Sequence, residues 1–131
     1  MNGETTMTTN FLKIAVAVAA AFSIHTAIAH GPEAPKFGGT TAAAGDLGFE
    51  LASQNGAAIL YVEDHGRPRS TAGMGGKLTV LNGKEKSEAE LTPTEANKLE
   101  AKGVKLARGA KAVAALTLPD KTVITVRFTV K

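Results

Sequence analysis

From residue 47 to the end of the chain, apolar and polar positions alternate with a period of two. Phe49 and Leu51 alternate with Glu50 and Ala52, and Ala58, Leu60 and Val62 with Ile59, Tyr61 and Glu63. Successive side chains of a strand point to opposite faces, so this alternation predicts strands with one face on a core. Leu78 and Val80 repeat the pattern, as do Ala112, Ala114, Leu116 and Leu118, and finally Ile124, Val126, Phe128 and Val130. Turn residues fall between these runs. Asn55-Gly56 and Asn82-Gly83 suit the positive φ of hairpin turns, Asp64-His65-Gly66-Arg67-Pro68 breaks a strand, and Pro119-Asp120-Lys121 reverses the chain. Residues 85–91 read as a charged edge strand, whose lysines and glutamates would deter edge-to-edge pairing.

Regular short strands with turns between them predict an all-β fold, an immunoglobulin-like β-sandwich of about seven strands over residues 47–131. One segment conflicts. Thr92-Pro93-Thr94-Glu95 has the form of a helix capping box, and Ala96 to Lys102 are good helix formers. Leu99 is the only large apolar residue there, so a helix would bury little. A turn over 92–97 and a strand over 98–102 is the preferred reading.

The start of the chain is different. Lys13 precedes the apolar run from Ile14 to Phe22, which is shorter than the roughly 20 residues needed to span a bilayer but fits a signal-peptide core. Ala27-Ile28-Ala29 supplies a small-x-small cleavage pattern. Glu4 is out of place in a positive leader, and a start at Met7 would remove it. The expectation is therefore a signal peptide over 1–29, cleavage after Ala29 and export to the periplasm. Residues 30–46, rich in Gly, Pro, Ala and Thr, read as a flexible N-terminal arm, since the residue before proline avoids helix.

Composition narrows the function. The 131-residue chain has a net charge of +3 and no basic arm, which argues against nucleic acid as a partner. It has no cysteine, which excludes disulfides, zinc-thiolate sites and thiol catalysis. No second apolar stretch predicts a membrane anchor after cleavage. Ser53, Ser70 and Ser87 lack a nucleophile-elbow context, and Glu85, Glu88 and Glu90, interleaved with lysines, read as a solvated face. No nucleophile has a plausible base, so the expectation is a protein that is not an enzyme.

The strongest candidate chemistry is metal binding. Cleavage after Ala29 would make His30 the first residue, with its α-amine and imidazole able to form one chelate ring. His65 could complete a three-nitrogen set, and Glu63 or Asp64 could add an oxygen. Nitrogen donors of this kind favour Cu(II). Met74, in Gly73-Met74-Gly75-Gly76, reads as a thioether in a flexible loop, and one methionine does not make a Cu(I) site. The competing readings are a solvated loop histidine at 65 and a His30 that is simply what cleavage leaves behind.

The stretch from Phe49 to Pro93, with Leu60-Tyr61-Val62, Asp64-His65-Gly66, Pro68 and Thr71-Ala72-Gly73, resembles small periplasmic β-domains associated with heavy-metal efflux. So do the leading HGPEAPKFGG and the later Gly109-Ala110-Lys111. Such domains occur within or beside the adaptor subunits of resistance–nodulation–division efflux pumps. The resemblance implies an efflux adaptor as partner and a role in heavy-metal resistance. It also implies a histidine near residues 36–39, where this chain has Phe37. The alternative is a metal-free interaction module docking on an adaptor or another envelope protein.

Overall fold

A computed structural model describes residues 32–131 and, in isolation, Gly3. The described residues are all-β, without a helix. The strands are β1 (Thr40–Ala44), β2 (Leu47–Gln54), β3 (Ala57–Asp64), β4 (Arg67–Pro68), β5 (Gly75–Asn82), β6 (Glu85–Pro93), β7 (Lys98–Lys102), β8 (Lys111–Thr117) and β9 (Val123–Thr129). Every pairing is antiparallel, and the order is β1-β2-β3-β7-β6-β5-β8-β9, with β4 beside the end of β3. Nine strands therefore form one hydrogen-bonded sheet, eight of them along a single path, where about seven were expected. The ends of that path meet, since the Lys131 backbone N–H donates to Thr40 Oγ1 at 3.2 Å. The sheet is curled almost into a barrel.

Two seams interrupt the curl. One lies between β9 and β1. The other lies between β6 and β7, which pair only at Thr92–Glu100 and Pro93–Leu99 before diverging. Between the seams the alternation acts as expected. Phe49, Leu51, Leu60, Val62, Leu78, Val80, Leu116, Val126 and Phe128 all point into one core.

The turns follow local chemistry. Gln54 pairs with Ala57 across Asn55-Gly56, both at positive φ (49° and 77°), as a type I′ turn requires. The Asn82–Glu85 hairpin is centred one residue later than the Asn-Gly pair suggested. Gly83 takes φ 61° while Lys84 stays negative, so glycine occupies the first central position, as in a type II′ turn. The disputed segment is a turn leading into strand β7. Leu99 is fully buried there, and the Lys98 backbone N–H donates to Glu95 O at 3.1 Å.

Two expectations change. Residues 40–44, assigned to the flexible arm, form β1 against β2 from Thr40–Leu51 to Ala44–Leu47. Thr and Ala offer no large apolar side chains for a periodicity to show, so only the partner strand reveals this element. Met74, expected in a flexible loop, is buried in the core beneath Thr71, whose carbonyl accepts the Met74 backbone N–H at 2.9 Å. Thr71 is itself buried and donates its hydroxyl to Lys98 O at 2.8 Å, tying the 69–74 crossing to the start of β7.

Candidate functional site

The outer face of β2 and β3 is covered by the segment that precedes β1. Glu50, on that face, is only 5% exposed. Its carboxylate accepts three backbone N–H groups, from Lys36 at 2.6 Å, Phe37 at 2.8 Å and Gly39 at 2.9 Å. A buried carboxylate is costly unless it is hydrogen-bonded, and here the strap supplies the donors. Phe37 then lies flat on Tyr61, with ring centroids 3.8 Å apart and planes 7° from parallel. Ile59, Tyr61 and Ala52 form a small second apolar cluster under this cover. The phenol oxygen of Tyr61 accepts from Gln54 Nε2 at 2.5 Å. Where the resemblance led to a histidine near 36–39, this chain uses Phe37 as a lid on tyrosine.

The strap leads to the turn that carries His65. Asp64 pairs with Arg67 across His65-Gly66, and both central residues have positive φ (50° and 78°). Histidine is among the few non-glycine residues enriched in that region. The turn lifts the imidazole off the sheet, leaving its side chain 75% exposed. Nδ1 lies 2.5 Å from Asp64 Oδ1. A proton on Nδ1 would be donated to that carboxylate, which leaves Nε2 on the side of the ring away from the partner.

Glu63 occupies the last outward position of β3 and is engaged by Lys36, whose Nζ lies 2.8 Å from its Oε1. Lys36 also approaches Glu33 Oε2 at 3.6 Å. The hydrogen bond to Glu63, against a smaller opposing effect of desolvation, raises the Lys36 ammonium above its ordinary 10.5. Glu33 in turn packs against Gly66, where a Cβ would come within 2.9 Å of its Oε1. These groups rim a groove of about 420 Å³ whose walls include Pro32, Glu33, Lys36, Asp46, Glu63 and His65.

The structure thus brings Glu63 and His65 to one groove and sets Asp64 against the His65 ring. It gives the three residues different places: Asp64 lies against the ring, Glu63 holds Lys36, and His65, among the described residues, has Nε2 without a partner. Among the described residues, no three His, Cys, Asp or Glu side chains converge as a metal cage. His30, the other proposed ligand, lies outside the described residues. Pro32, two positions after it in the chain, lines the same groove as His65.

Sequence reasoning missed the Glu50 clamp and the Lys36–Glu63 pair. A glutamate between Phe49 and Leu51 looks like any solvent-facing strand position, and nothing local indicates that a strap folds back over it. No family model, no curated protein and no solved structure matches the chain.

Proposed function

We propose that this is a non-catalytic exported domain that binds a transition-metal ion transiently, as a periplasmic accessory of heavy-metal, specifically copper, resistance or efflux. The observation that carries the reading is His65. Its ring is held at one nitrogen by Asp64, has no partner at the other among the described residues, and stands at the rim of a groove that Pro32 also lines. Metal-bound histidines characteristically donate their second ring nitrogen to a carboxylate in this way, which fixes the tautomer and raises ligand basicity.

The proposal includes cleavage after Ala29, which would free the His30 amine. Two residues of chain span at most about 7 Å, so connectivity keeps His30 close to Pro32. The amine and imidazole of His30 with Nε2 of His65 would make a three-nitrogen set suited to Cu(II). Asp64 acts through His65 and is not itself a ligand, and Glu63 could donate only by releasing Lys36. Two antiparallel layers packed as an immunoglobulin-like sandwich remain the proposed finer architecture of the curled sheet. An efflux adaptor is the proposed recipient of the metal. The metal-free interaction module is the reading that replaces this one if metal does not bind.

The test is Cu(II) titration of protein whose intact mass shows His30 first. An extra Met before His30 is expected to weaken binding most, His65→Ala less, and Asp64→Asn by about tenfold or more through loss of the oriented tautomer. Binding should release protons and weaken in acid, because every donor must be deprotonated. Equal affinity in all four proteins would reduce the metal to surface coordination and sink the proposal.

A further inference from the structure

The seam between β6 and β7 leaves one sheet edge open. Residues 85–91 of β6 pair with β5 on one side, from Asn82–Glu85 to Gly76–Leu91. On the other side, among the described residues, no strand pairs with them, because β7 joins β6 only at Thr92 and Pro93. The two strands then splay around a groove of about 360 Å³ lined by Ala89, Glu90, Thr92, Thr94, Glu100 and Lys102. An edge of this kind presents a row of N–H and C=O groups ready for another strand.

The side chains along the edge carry a definite order. Ala89 and Leu91 face the core, so Lys86, Glu88 and Glu90 share the outer face of β6; all three are exposed, as is Lys84 in the turn just before the strand. Their charges run plus, plus, minus, minus. An antiparallel copy of the same strand, related by a two-fold axis at Ser87, would set Lys86 opposite Glu88 of the second copy and Lys84 opposite Glu90 of the second copy. Each pair would occur twice. Interleaved charge protects an edge when like signs meet, but this order is self-complementary in the antiparallel sense. The strand register covers 85–89, with Lys84 of the turn meeting Glu90 at its end, and stops before Thr92, where β7 takes the edge. Within one chain Lys86 and Lys77 already approach Glu88, at 3.2 and 3.4 Å, but those ions are exposed and free to exchange partners.

We propose that the open edge of β6 pairs antiparallel with β6 of a second copy of this chain, centred on Ser87, giving a two-fold dimer with a continuous sheet. The interface is isologous. Its affinity is salt-sensitive, because its selecting contacts are solvent-exposed ion pairs.

Sedimentation velocity or light scattering on the purified protein over a concentration series tests this. The wild type is expected to move from one to two monomer masses, less readily at high salt. Lys86→Glu alone places Glu against Glu at both symmetric positions, and Glu88→Lys alone places Lys against Lys. Each should weaken self-association by about tenfold or more. An equimolar mixture of the two variants should dimerise again, since each supplies the charge the other lacks. The double variant K86E/E88K should also recover. These positions are exposed, and circular dichroism checks that the fold is retained. A wild type that stays monomeric at the highest soluble concentration overturns the proposal. So does a dimer indifferent to both single reversals, which would use another surface.

Discussion

Glu50 shows how much one side chain can organise. Three backbone N–H groups converge on its carboxylate, and through them the strap reaches the place where Phe37 covers Tyr61 and Lys36 meets Glu63. Hydrogen bonds to a charged acceptor are worth more than neutral ones, and removing the acceptor strands all three donors. Glu50→Ala is expected to cost about 2–4 kcal/mol in denaturant unfolding. The same substitution should speed amide exchange at residues 36–39 and expose Tyr61. Unchanged exchange there would show that the strap is held by other means. His65 is the opposite case, an exposed side chain on a positive-φ turn whose proposed worth lies in metal binding and not in stability. Its consequence for copper affinity is the titration set out above.

At the scale of elements, turn chemistry does most of the specifying. The Asn55-Gly56 and His65-Gly66 turns place both central residues at positive φ, and each joins strands in the register their alternation requires. The β8–β9 turn works differently. Asp120 accepts the Thr122 backbone N–H at 2.9 Å, and that bond holds its carboxyl below the ordinary 3.8. A carboxyl lowered in the folded state stabilises the fold above its unfolded value and loses that contribution as pH falls through its folded value. Asp120→Ala should therefore lower Tm at neutral pH, with the gap from wild type closing in acid below the ordinary carboxylate range. A gap independent of pH would mean that the side chain acts through turn geometry and not through its charge. The legibility of these elements in the sequence was uneven. Strands β2, β3, β5, β8 and β9 show in their alternation because each buries large residues on one face. β1 does not, because Thr and Ala carry no such signal. β7 sits in a stretch that local propensity assigns to helix, and the burial of Leu99 between β3 and β6 overrides it.

For the whole molecule, one core joins both sides of the seams. Leu60 and Leu99 lie on one side, Leu78 and Leu116 on the other, and all four are fully buried. Leu78→Ala is expected to destabilise by about 2–5 kcal/mol. Because the core is shared, a probe on β2–β3 and one on β8–β9 should report a single midpoint, lowered equally. Two separated transitions would show that the curled sheet behaves as two units. The groove and the open β6 edge also belong to this scale, since neither exists until several strands have met.

The sequence alone determined that the chain is built from antiparallel strands, where most of them lie, which face of each is apolar, and that residue 65 stands on a turn. Those properties depend on periodicity and turn chemistry within a few residues. Only the tertiary structure decided the strand order, the existence of β1, the burial of Glu50 beneath the strap and the pairing of Glu63 with Lys36. Each of these depends on which segments meet in space, and a period of two records which way a side chain points but not what it meets.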